Sequence, residues 1–107
     1  MELIAPIPQN SKARHVPILV AGALQRLGDR VVLARKLRGL TQEQLAQLAD
    51  VSLSTLRSME DGAHGIALAN FLKVLQAMQL LDQIEKILDP QYDHETLAYA
   101  HRQLGAT

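Results

Sequence analysis

Between Thr41 and Gly62 lie two short segments, each opened by a hydroxyl side chain and each too short to be stable alone. Thr41 precedes the segment Gln42 to Ala49, and Gln44 follows Thr41 at the T-x-x-Q spacing of a reciprocal helix cap. Ser52 opens the second segment, which ends near Asp61 with Gly62 as its stop. Only Asp50 and Val51 separate the two. Helices this short are marginal in water, so they must pack on each other and on neighbouring helices. Leu45, Ala46 and Leu48 are the apolar residues of the first, and Leu56 and Met59 share a face of the second at i and i+3.

The rest of the chain supplies the neighbours. Leu24, Leu27, Val31, Ala34 and Leu37 recur at helical spacing and predict a helix over 24–38, closed by Gly39. Its bases Arg26, Arg30, Lys36 and Arg38 fall largely off that stripe. A fourth helix is expected over 67–78, with Leu68, Phe71, Leu72, Leu75 and Met78 inward. A fifth is expected over 81–88, stopped by Pro90. Residues 1–20, broken by Pro6, Pro8 and Pro17, read as an arm, whose Ile18, Leu19 and Val20 either dock on the core or extend the first helix backward. Residues 90–107 read as a tail, either without structure or forming a weak sixth helix from Tyr92 with Leu97, Ala100 and Leu104 on one stripe. No strand-type alternation is present. The expected organisation is an all-α, five-helix domain over 21–89, with an extended N-terminal arm (1–20) and a short C-terminal tail (90–107).

Charge and composition narrow the function. The net charge is zero, yet residues 1–40 carry seven bases and two acids, and residues 41–107 carry four bases and nine acids. Opposite halves suggest two unlike partners, one of them polyanionic. With three aromatic residues (Phe71, Tyr92, Tyr99) the chain is poorly equipped to stack single-stranded bases. It has no cysteine, so thiolate metal sites and disulfides are excluded. No apolar run is long enough to span a membrane, and the N-terminus lacks the pattern of a secretory signal.

Two short helices with a small residue at their crossing, Ala46, and an apolar residue in the turn, Val51, form the pattern of a helix-turn-helix. The outward face of the second helix then carries Ser52, Leu53, Ser54, Arg57 and Ser58. Such a helix fits the major groove of B-DNA, with its N-terminal residues near the base edges. Arg57 is the long donor suited to guanine, the serines serve bases or phosphates, and Leu53 suits a thymine methyl. Lys36 and Arg38, at the end of the first helix, are candidates for phosphate.

The run G-L-T-Q-E-Q-L-A followed by V-S-L-S-T-L and M-E-D-G resembles the helix-turn-helix domain of the Cro and phage-repressor (XRE) family, over residues 24 to about 88. The resemblance implies that Gln42 touches phosphate and buttresses the recognition helix. Leu53, Ser54 and Ser58 then occupy base-reading positions, and Ser52 lies near the DNA backbone. It also implies a buried ion pair between Arg35 and Glu60. Three residues depart from the family pattern: Asp50 in place of glycine, Ala67 in place of a serine cap, and Leu53 in place of a polar residue. Within the family, E-D-G-A-H-G-I-A-L-A-N-F-L-K-V-L-Q-A-M-Q-L-L-D-Q-I-E-K-I-L is similar to HipB-type antitoxins. That likeness implies a homodimeric repressor on double-stranded DNA with a palindromic operator, partnered by a HipA-like serine/threonine kinase toxin and located in the cytoplasm at the nucleoid.

Leu80, Leu81, Ile84, Ile87 and Leu88 crowd nine positions, more than a small core absorbs, and are the expected dimer interface. His15, His64, His94 and His101 show no metal-ligand spacing, so no metal or cofactor is expected. Asp82, Glu85, Asp89, Asp93 and Glu95 form an acidic face, read either as solvated or as a dock for a basic protein. No cysteine nucleophile, Gly-rich phosphate loop or carboxylate pair on a plausible pocket points to an enzyme. Two other readings stand beside the antitoxin: a repressor without a toxin, and a protein-binding adaptor whose helix-turn-helix has left DNA.

Overall fold

The computed structural model describes residues 15–105. Most of the expected arm, including Lys12 and Arg14, lies outside that range. Among the described residues the fold is all-helical: α1 (Ile18–Leu37), α2 (Gln42–Ala49), α3 (Leu53–Glu60), α4 (Leu68–Ala77), α5 (Leu81–Ile84) and α6 (His94–Gln103), with a 3-10 turn over Pro90–Tyr92.

The first four helices end in the same way. After α1, Leu40 N–H bonds to the Arg35 carbonyl and Gly39 N–H to that of Lys36. The same pair of bonds closes α2 through Val51 and Asp50, α3 through Ala63 and Gly62, and α4 through Leu80 and Gln79. This closure places one residue in the left-handed region. Gly39 and Gly62 fill it without strain, whereas Asp50 (φ 57°) and Gln79 (φ 63°) carry side chains there. Asp is among the residues that tolerate this conformation, which is how the turn between α2 and α3 survives without glycine.

Helix starts are set by side chains where the sequence offers them. Thr41 Oγ1 accepts from Gln44 N–H at 3.0 Å, and Gln44 Oε1 accepts from Thr41 N–H at 2.9 Å. Ser52 Oγ accepts from Thr55 N–H at 3.0 Å. Ala67 has the extended backbone of a cap (φ −63°, ψ 135°) but no side-chain acceptor. Ala67→Ser should therefore stabilise the domain by about 1 kcal/mol, the usual worth of such a cap, seen as a higher urea midpoint at unchanged slope.

The core forms where α1, α2, α3 and α4 meet. Val31, Leu45, Ala46, Ala49, Leu56, Met59, Val74 and Met78 are buried, with Leu40, Val51, Phe71 and Leu80 packed against them. Leu45, Leu56 and Val74 are wholly inside, and each such burial stabilises by roughly 1.5–3 kcal/mol.

Several sequence expectations are corrected. The tail forms a sixth helix among the described residues, α6, started by Asp93. The Asp93 carboxylate accepts from Thr96 Oγ1 and Glu95 N–H, and the Thr96 hydroxyl above all holds its pKa below the usual value. α1 begins at Ile18, not 24, because Pro17 has a backbone that leads into a helix and its carbonyl accepts from Ala21 N–H. Leu37 is 81% exposed. Successive steps of three residues each fall about 60° short of a full turn, so a stripe read in threes drifts off the buried face. Gly28, Val31 and Arg35 hold that face instead. Leu48 and Leu68 likewise point outward, and Ala49 fills the inward position near the end of α2. α5 stops at Ile84, because residues 85–89 tighten into i→i+3 bonds and Pro90 requires an extended Asp89 (ψ 125°).

Candidate nucleic-acid interface

α3 is held from behind and open in front. Leu56, Met59 and Glu60 are buried, while Ser52, Ser54 and Arg57 are exposed and Leu53, Thr55 and Ser58 half-buried. The backing is tight at one point. Gly28 of α1 lies so close to the last turn of α3 that a Cβ there would sit 2.7 Å from the carbonyl oxygens of both Met59 and Glu60. Sequence reasoning passed over this glycine. Its only signal was its position inside an otherwise helical pattern.

A hydrogen-bonded chain runs from the interior to the exposed face. Arg35 Nε donates to Glu60 Oε2 at 2.7 Å and Nη2 to Glu60 Oε1 at 3.1 Å, a forked pair between α1 and α3. Arg35 Nη1 donates to the Leu40 carbonyl at 2.9 Å, fixing the turn after α1. Glu60 Oε1 also accepts from Gln42 Nε2 at 2.8 Å. Since a carboxylate only accepts, this contact orients the Gln42 amide, and its oxygen must face outward. That oxygen accepts from Arg57 Nε at 3.3 Å. Arg57 Nη2 lies 4.0 Å from Glu43 Oε2. No buried side-chain polar atom among the described residues lacks a partner, as a low-dielectric network requires.

The remaining candidates are more loosely placed. Ser52 Oγ is engaged with Thr55, donating to its hydroxyl at 2.8 Å as well as capping α3. Ser54 is exposed. Lys36 is exposed in the last turn of α1, and Arg38 Nη1 donates to the Ala34 carbonyl at 2.9 Å. The expected dimer residues differ in exposure. Leu80 packs against the core, Leu81 and Ile84 are half-buried, and Ile87 and Leu88 are exposed. Ile84 and Ile87 border two adjoining apolar hollows, walled also by Leu27 and Phe71.

No three His, Asp or Glu side chains among the described residues come together as a metal site. No helix among them is long and apolar enough to cross a membrane.

Two short capped helices, a left-handed turn between them, and a second helix locked from behind and polar in front make a helix-turn-helix. A family model described as Helix-turn-helix matches residues 33–82, from the last turn of α1 into α5. No curated protein matches the chain. The match is to a helix-turn-helix, a fold used for binding DNA, and it spans a little under half of the chain.

Proposed function

We propose that the chain is a sequence-specific repressor that binds double-stranded DNA as a homodimer, placing α3 of each protomer in successive major grooves. The observation that carries this reading is α3 itself: fixed through Leu56, Met59 and Glu60, it leaves Ser54 and Arg57 exposed on its other side. Arg57 reads guanine, Ser54, Ser58 and Leu53 read neighbouring bases, and Gln42, Ser52, Lys36 and Arg38 serve the phosphates. Leu80, Leu81, Ile84, Ile87 and Leu88 supply the dimer contact, chiefly through the exposed Ile87 and Leu88 and the hollows beside Ile84. A two-fold dimer recognises a palindrome with half-sites about 34 Å apart. The chain acts by binding, not catalysis, and works in the cytoplasm at the nucleoid.

The finer reading follows from the likeness to HipB-type antitoxins. In it the repressor binds the operator of its own operon and holds a HipA-like serine/threonine kinase toxin, with the acidic residues around α5 and α6 facing that partner. Copurification with the product of an adjacent kinase gene supports the antitoxin. Operator binding with no such partner leaves a stand-alone repressor.

Fluorescence anisotropy with the duplex upstream of its own coding sequence, against a scrambled duplex, tests the central reading. Tight binding with a strong preference for its own sequence is expected. Affinity should fall on the order of 10³-fold between ~50 and ~200 mM salt for about six neutralised phosphates. Equal, weak binding to both duplexes would sink it and favour the protein-binding adaptor.

A further inference from the structure

We infer that Glu43 is a specificity-determining residue that acts through Arg57, a reading that rests on the DNA-binding function proposed above. Gln42 holds the Nε edge of the Arg57 guanidinium at 3.3 Å, and Glu43 stands 4.0 Å from Nη2. Gln42 is itself fixed, because its amide nitrogen is bound to buried Glu60. The side chain of Arg57 is therefore set from α2 while its terminal edge stays open. That edge suits the paired O6 and N7 acceptors of guanine.

The two kinds of DNA contact then differ in what they demand of Glu43. Arg57 meets a guanine without leaving its partners, and Glu43 stays neutralised beside it. Where no guanine is in place, Arg57 turns to the phosphates instead and its pairing with Glu43 opens. A bare carboxylate is then left facing a polyanion. Glu43 is thus a repulsive element against wrong sequences, the kind of device discrimination needs besides attractive contacts. Its contribution to folding is small by comparison: both side chains are more than half exposed, and such pairs contribute little to stability. Glu43 also suits the first turn of α2, where an acid complements the helix dipole. A role limited to that dipole would leave DNA discrimination untouched.

The test compares wild type with Glu43→Gln, each with and without Arg57→Ala, on the duplex upstream of its own gene and on a scrambled duplex of equal length. Glu43→Gln should tighten scrambled binding by about 5-fold and own-sequence binding by much less, so the preference falls. In the Arg57→Ala background both duplexes should tighten equally. An unchanged preference in Glu43→Gln, or the same loss of preference without Arg57, overturns the inference. A second measurement needs no DNA: the Arg57 Nε–H resonance of the free protein. An ordered signal that loosens in Glu43→Gln supports the clamp, and a signal equally mobile in both refutes it. Failure of the wild type to bind either duplex defeats the DNA-binding function itself, and the inference about specificity with it.

Discussion

Glu60→Ala should be the most damaging single change near the DNA face, costing about 3–5 kcal/mol. The loss arises from what remains. Arg35, whose side chain is 10% exposed, would keep its charge in the interior with only the Leu40 carbonyl as partner. Gln42 would lose its anchor and Arg57 its guide. A domain of this size has roughly 5–15 kcal/mol in total, so much of the population would lie near its unfolding threshold at ambient temperature. Urea denaturation gives the measurement. Ser54→Ala, on the same helix but exposed, should change stability by no more than about 0.5 kcal/mol. Replacing both partners, Arg35→Met with Glu60→Leu, should recover most of the loss, because a well-packed apolar pair avoids burying charge. If Glu60→Ala proves no worse than Ser54→Ala, the network is not what holds α3.

Gly28→Ala is expected to destabilise by about 2 kcal/mol net, against the preference of helices for alanine. On propensity alone the change would favour α1 by about 1 kcal/mol. The added methyl, however, meets two backbone carbonyl oxygens at 2.7 Å. Backbone cannot turn aside as a side chain does, so α1 and α3 must separate, and overpacking of this kind costs roughly 1–3 kcal/mol or more. Because α3 carries Ser54 and Arg57, DNA affinity should fall along with stability. Thermal unfolding compared with an exposed control on the same helix, Arg30→Ala, separates the two effects. A variant more stable than wild type would show that the approach of α1 to α3 is slack.

Both changes mark where the sequence was readable and where it was not. The end of α1 and both ends of α2 and α3 were readable because they are local. Thr41 with Gln44, Ser52 with Thr55, and the closures at Gly39 and Gly62 join residues no more than five apart. Burial was less readable because it depends on what packs where. Leu37 and Leu48 look like core residues by type, yet both stay exposed among the described residues. Gly28 looks like a weak helix residue until α3 is placed beside it. Arg35 and Glu60 are 25 residues apart, and only the likeness to a known family brought them together on the page. The family likeness placed Gln42 against the recognition helix, but its bond to Arg57 in particular had no sequence signal, since it depends on which end of an amide faces out.

The division of labour along α3 bears on how such a protein changes its target. The residues that keep the helix in place, Leu56, Met59 and Glu60, are not the ones that face outward, Ser54 and Arg57. Substitutions can accumulate at 54, 57 and the neighbouring 53 and 58 while the scaffold stays as it is. On the function proposed above, a new operator is then reachable by successive single steps, each passing through a folded protein.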